Sequence, residues 1–183
     1  MKKTKITGPT YITIIRMFLS VLFLIFISIP EIWAKIVAFI LFVVASITDA
    51  IDGAWARKQK IETDLGKFLD PLADKMLVNL AFLILVAMGI VPVWVFAIIL
   101  VRDFAVDGMR MMAAREKITI AASFFGKLKT VFQMVALNIL IFNLIVNLEI
   151  FTILGNITLG IALVLTVFSG IDYLAKGWKK IIK

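Results

Sequence analysis

Four aspartates, Asp49, Asp52, Asp70 and Asp74, stand as two pairs inside apolar stretches of the chain. An ionised carboxylate at the middle of a membrane helix costs about 2.5 to 3.5 kcal/mol on insertion scales, so four of them together cost about 10 kcal/mol or more. Surface decoration does not explain that burden. The pairs are spaced i,i+3 and i,i+4, and each therefore projects from a single helix face. If the two helices form an antiparallel hairpin about the basic turn that holds Arg57, Lys58, Lys60 and Lys67, both pairs lie at comparable depth and can converge. Converging carboxylates repel one another unless positive charge sits among them, and two divalent cations would cancel the repulsion. Oxygen ligands alone select hard ions, Mg²⁺ or Mn²⁺. Two such ions about 4 Å apart clamp an in-line phosphoryl displacement. The neighbours fit a bulky bound ligand: Gly53 permits close approach, Ala56 is small, the planar fork of Arg57 suits phosphate, and Gly66 clears space at the start of the next helix. A second reading stays open at this level. The same carboxylates could line the hydrated cavity of a cation-conducting transporter, or pair with Lys75, Arg57 and Lys67 as structural ion pairs.

The elements that carry these residues are set by composition. Of the 183 residues, 62% are hydrophobic and the mean hydropathy is +1.07, which excludes a water-soluble globule and makes lipid the solvent. Without Cys or His, the chain has no disulfide, thiolate nucleophile, imidazole base or usual zinc site. Apolar stretches near 11–29, 31–56, 66–89, 92–115, 124–147 and 150–175 each reach the roughly 20 residues that span a bilayer. We therefore expect an all-α integral membrane domain of six transmembrane helices covering 1–183. The mixed residues 1–16 predict a short N-terminal interfacial helix ahead of the first span. A signal peptide is set aside because Arg16 interrupts the run and no small-residue cleavage site follows Ser28-Ile29-Pro30.

The charges alternate along the connections. Lys2, Lys3 and Lys5, the 57–67 turn, the 110–129 connection and the tail with Lys176, Lys179, Lys180 and Lys183 are basic, while the opposite connections hold little beyond Glu31, Lys35 and Glu149. The positive-inside rule then puts both termini and the basic connections on the cytoplasmic side of the cell membrane. The net charge of +8 is this asymmetry, and no nucleic-acid partner is expected. Trp33, Trp55, Trp94 and Trp178 fall near span ends as interfacial anchors.

The segment Asp49-Ala50-Ile51-Asp52-Gly53-Ala54-Trp55-Ala56-Arg57, followed after eight residues by Gly66-Lys67-Phe68-Leu69-Asp70-Pro71-Leu72-Ala73-Asp74, resembles the signature of the CDP-alcohol phosphatidyltransferases, complete and correctly spaced. The resemblance extends over essentially the whole chain. It implies six transmembrane helices, an active site at the cytoplasmic interface, a homodimer, and transfer of a phosphatidyl group from CDP-diacylglycerol to an alcohol with release of CMP. It further implies that Asp49, Asp52, Asp70 and Asp74 hold two metal ions, that Asp70 and Asp74 are catalytic with Asp74 as general base, and that Asp52, Gly53, Ala56, Arg57 and Gly66 form the CDP-diacylglycerol site.

That signature does not choose the acceptor. The cations Arg102, Arg110, Arg115, Lys117, Lys127 and Lys129, with Asp103 and Asp107 among them, form a wall suited to a phosphorylated acceptor such as glycerol 3-phosphate. Ordinary positive-inside bias would also account for Lys127 and Lys129. Arg102-Asp103-Phe104-Ala105-Val106, Gly108-Met109-Arg110, Phe125-Gly126-Lys127-Leu128-Lys129-Thr130 and Gln133-Met134-Val135-Ala136-Leu137 are similar to the bacterial phosphatidylglycerophosphate synthase branch of that family. By that likeness Arg110, Lys127, Lys129 and Arg102 bind the acceptor phosphate. Cardiolipin or phosphatidylinositol-phosphate synthesis is the alternative within the family. Two departures bear on this choice: Thr10 follows Pro9 where the family often has Asn, and Asp107 could pair with Arg110 or Lys127 and weaken acceptor binding.

Overall fold

Long apolar runs become helices, and the fully described connections between them are tight turns. A computed structural model describes residues 8–59, 64–115 and 123–181. Among them lie six helices and no strand: α1 (Gly8–Ile27), α2 (Ile32–Gln59), α3 (Asp64–Ala87), α4 (Val93–Arg115), α5 (Phe124–Val146) and α6 (Glu149–Ile181). The six expected stretches are recovered with shifted ends. One expectation, the interfacial helix over residues 1–16, falls partly outside the described residues, which begin at residue 8. Residues 8–16 are the first half of α1, continuous with the rest, so no separate interfacial helix precedes the first long helix among the described residues. Pro9 falls in the first turn, where its missing N–H is not needed, and nothing between Thr10 and Arg16 breaks the helix.

Each turn among the described residues has an identifiable cause. Ile29 donates its N–H to the Phe26 carbonyl at 3.2 Å, and Pro30 then ends the first helix. After α3, Gly89 takes φ +73°, a conformation open to glycine, and its N–H reaches the Val86 carbonyl at 2.9 Å. Ser123 caps α5 by accepting from the Gly126 N–H at 3.1 Å. Between α5 and α6, Asn147 adopts the left-handed conformation (φ 52°, ψ 50°), while Asn143 accepts from the Leu148 N–H at 2.9 Å and donates to Thr152 Oγ1 at 2.8 Å.

The chain divides into two compact units. In the first, formed by residues 1–85 with 144–146, α1 packs along α2. Phe23 and Ile27 on α1 and Ala34, Ala38, Phe42 and Ala45 on α2 are fully buried, and the Phe23 and Phe42 rings lie 5.4 Å apart at 46°. The other side of α2 exposes Ile36, Ile40, Val44 and Ile47. Apolar side chains on both the packed and the exposed side of this stretch suit a lipid surround.

In the second unit, residues 86–143 with 147–183, α4 packs on α6 and α5 closes against α6. The outer faces again expose large apolar side chains, among them Val101 and Phe104 on α4 and Phe168 and Ile171 on α6. α5 and α6 are each long and apolar enough to cross a membrane, and α1, α2 and α3 hold shorter apolar stretches, Thr13–Ile27, Ile32–Thr48 and Lys75–Ala87. Together with the exposed apolar faces, these helices mark a membrane protein.

Gly155 sets how closely α5 and α6 approach. A Cβ there would stand 2.5 Å from Leu140 Cδ2 and 2.8 Å from its Cγ, with Leu140 itself fully buried. Gly155→Ala is expected to destabilise the protein by about 1 to 3 kcal/mol through overpacking. Thermal unfolding in detergent measures this, and an unchanged midpoint would show that the two helices can separate freely at this point.

Candidate active site

The sequence places Asp49, Asp52, Gly53, Ala56 and Arg57 on α2, and Gly66, Asp70 and Asp74 on α3, all within the first unit. Helical backbone at these positions keeps Asp49 with Asp52, and Asp70 with Asp74, on common faces. The side chains of these eight residues lie outside the described part of the structure.

One cation of the first unit went unassigned in the sequence. Arg16 is only 3% exposed, in a buried polar stripe of α1 with Thr13 and Ser20, whose hydroxyl donates to the Arg16 carbonyl at 2.8 Å. The touching rings of Phe23 and Phe42 fix the register of α1 against α2. Seven residues before Phe23 is Arg16, and seven residues after Phe42 is position 49, so two further helical turns bring both to one level. A buried arginine thus shares its level with the first aspartate pair.

The second unit holds the basic candidates, and the structure separates them. Arg102 on α4 and Lys129 on α5 come together around Asp103: Arg102 Nη1 donates to Asp103 Oδ1 at 3.1 Å, and Lys129 Nζ donates to the same oxygen at 2.5 Å. Arg102 Nη2 also donates to Ser169 Oγ on α6 at 2.9 Å. The side chains of Arg102, Asp103 and Lys129 are 13%, 15% and 6% exposed. Charges this far from water persist only when paired. Below them, Gln133 Nε2 reaches Thr166 Oγ1 at 3.4 Å, continuing a buried polar layer between α5 and α6.

Gly170 makes room for the stem of Arg102. A Cβ at this position would lie 2.8 Å from Arg102 Cγ. The same stem closes an apolar groove of ≈ 410 Å³ between α4 and α6, lined also by Ala97, Val101, Val167 and Ile171.

Arg110 stands apart from this cluster. Eight residues further along α4, and thus about 12 Å along its axis, it donates from Nε to the Tyr173 hydroxyl at 3.2 Å. Its guanidinium carbon is 5.4 Å from the centroid of the Tyr173 ring, which is buried against Val106 and Met109. Lys127 is exposed, and being two residues from Lys129 it points from a different side of α5. Arg102, partly buried, and Lys129, buried, therefore form one pair, while Arg110 and Lys127 occupy separate places.

Sequence reasoning assigned no role to Ser169, Tyr173, Gln133 or Thr166. For the three on α6 the signal was their helical spacing, 166, 169 and 173, which puts them on one face.

The model of the CDP-alcohol phosphatidyltransferase family matches residues 6–168. The chain is 39% identical to the CDP-diacylglycerol--glycerol-3-phosphate 3-phosphatidyltransferase of Bacillus subtilis, over 93% of this chain and 95% of that protein. It is 38% identical to the protein of the same name from Rickettsia typhi, over 90% of this chain and 93% of that one. A probable phosphatidylglycerophosphate synthase of Mycobacterium tuberculosis is 37% identical over 81% of this chain and 69% of its own length. A family match spanning both units, with relatives aligned along nearly their whole length, makes this chain a member of the CDP-alcohol phosphatidyltransferases.

Proposed function

We propose that this protein transfers the phosphatidyl group of CDP-diacylglycerol to sn-glycerol 3-phosphate, giving phosphatidylglycerophosphate and CMP. The observation that carries this reading is the 39% identity, sustained over 93% of the chain, to a relative named for that reaction. Membership of a transferase family sets aside the transporter reading. The partly buried Arg102 and the buried Lys129, within reach of one another, support a phosphorylated acceptor, because a neutral alcohol gives no reason to hold two cations largely out of water.

The family works with divalent metal ions. Asp49, Asp52, Asp70 and Asp74 fit that requirement in donor chemistry: carboxylate oxygens alone, in two face-sharing pairs on consecutive helices, suit two hard ions such as Mg²⁺ or Mn²⁺. Such ions, when bound, stabilise the charge developing on the phosphorus oxygens and on departing CMP. Gly53, Ala56, Arg57 and Gly66 line the nucleotide and pyrophosphate site. A hydroxyl oxygen of the acceptor attacks the lipid-side phosphorus, the anhydride bond to CMP breaks, and Asp74 takes the hydroxyl proton. Arg102 and Lys129 hold the acceptor phosphate, and Arg110 and the exposed Lys127 draw it in from water.

The six helices cross the cell membrane with both termini and the active site on the cytoplasmic side, supported by the basic connections. The active form is a homodimer, as the resemblance implies.

The test is CMP release by the purified protein supplied with CDP-diacylglycerol and one acceptor at a time. Release is expected with glycerol 3-phosphate and not with inositol phosphate, phosphatidylglycerol or serine; the reverse pattern retires this choice of acceptor. EDTA is expected to stop release and added Mg²⁺ or Mn²⁺ to restore it. Turnover that survives chelation would remove the metals from the mechanism.

A further inference from the structure

We infer that Asp103 is a positioning residue for the acceptor site, a carboxylate that holds Lys129 and Arg102 as a preformed phosphate-binding pair. The inference rests on the reading of Arg102 and Lys129 given above and deepens it.

A carboxylate between two cations intended for an anion looks counterproductive, since it repels the incoming phosphate. Geometry argues otherwise. A single oxygen, Asp103 Oδ1, accepts from Lys129 Nζ at 2.5 Å and from Arg102 Nη1 at 3.1 Å. The two cationic nitrogens are therefore no farther apart than those two distances combined, close enough for one phosphate group to engage both. They come from different helices, α4 and α5. With side chains 13% and 6% exposed, two like charges this close would drive the flexible lysine away without a carboxylate between them.

The second guanidinium nitrogen is fixed by Ser169 on α6, and the absence of a side chain at Gly170 lets the arginine stem lie flat. One point thus ties three helices together. Asp103 meets no substrate atom in this scheme and acts through the two cations. Preorganisation of this kind lowers the ordering cost that binding would otherwise carry.

The opposite role is well defined and gives the opposite sign. If Asp103 merely competed with phosphate for Lys129, its removal would free the lysine and tighten acceptor binding.

The experiment is steady-state CMP release by the full-length protein, varying glycerol 3-phosphate and CDP-diacylglycerol in turn. Asp103→Asn is expected to raise KM for glycerol 3-phosphate about tenfold or more, the scale of one charge-assisted hydrogen bond, and to leave KM for CDP-diacylglycerol within about twofold. Asp103→Glu keeps the charge and is expected to fall between wild type and Asp103→Asn; it carries the same test alone if Asp103→Asn does not fold. In a Lys129→Met background, Asp103→Asn is expected to add far less than it does alone, because the group it positions is gone. A lower or unchanged acceptor KM, an equal rise for both substrates, or full additivity with Lys129→Met would each overturn the proposal. Failure of the underlying reading shows separately. Wild-type protein would then release CMP with a different acceptor, and the same variants measured with that acceptor decide the role of Asp103.

Discussion

Asp70→Asn is expected to lower kcat for CMP release by about three orders of magnitude or more, the scale seen when a group stabilising transition-state charge is lost. The substitution keeps the size of the side chain and its place on α3, and it removes one negative charge from a set of four. The fold is therefore expected to be kept. In the absence of metal the variant is expected to be at least as stable as wild type, since one source of carboxylate repulsion has gone. The two proteins should then diverge when metal is added: Mn²⁺ raises the unfolding midpoint of wild type by mass action and raises that of Asp70→Asn much less. Retained turnover, or an equal response of both proteins to Mn²⁺, would contradict the assignment of Asp70 to the metal site.

Lys129→Met is expected to act on the other substrate. Lys129 is 5% exposed, and its ammonium is held beside Arg102 by Asp103. Loss of one charged hydrogen bond to phosphate corresponds to about 1.5 to 3 kcal/mol, or about a tenfold to hundredfold rise in KM for glycerol 3-phosphate. The apolar stem of methionine fills the space of the lysine stem, so the helix contacts of α5 are largely kept. Lys127→Met, two residues away on the exposed side, is expected to have a much smaller effect that fades with added salt. Equal effects of the two variants would mean that the basic residues act as a diffuse field and not as a site.

The helices were legible in the sequence because each apolar run is long enough to span a bilayer, while their exact ends were not. Gly89, Pro92, Ser123 and Asn147 sit at the observed turns. The short interfacial helix expected over residues 1–16 is described only from residue 8, where the chain is already continuous with α1 because mixed polarity alone does not interrupt a helix and Pro9 sits where a helix tolerates proline. The aspartate pairs were legible as faces, since helical spacing alone decides which residues share one.

The acceptor side was legible only as a list of cations. Sequence spacing cannot tell that Arg102 and Ser169, 67 residues apart, are bonded, because that depends on how α4 packs on α6. Neither could it tell that Arg110, on the same helix as Arg102, is turned to Tyr173. Arg16 was visible but read as an interruption of a hydrophobic run; only its burial on α1 and the ring contact that fixes the register give it a place.

The most direct test is the identity of the lipid made. Purified protein in detergent, given CDP-diacylglycerol, Mg²⁺ or Mn²⁺ and glycerol 3-phosphate, should produce one phosphatidylglycerophosphate for each CMP released, as read by mass spectrometry of the extracted lipid. CMP formed with no glycerol 3-phosphate in the product lipid, or a product carrying a different headgroup when several acceptors compete, would contradict the account.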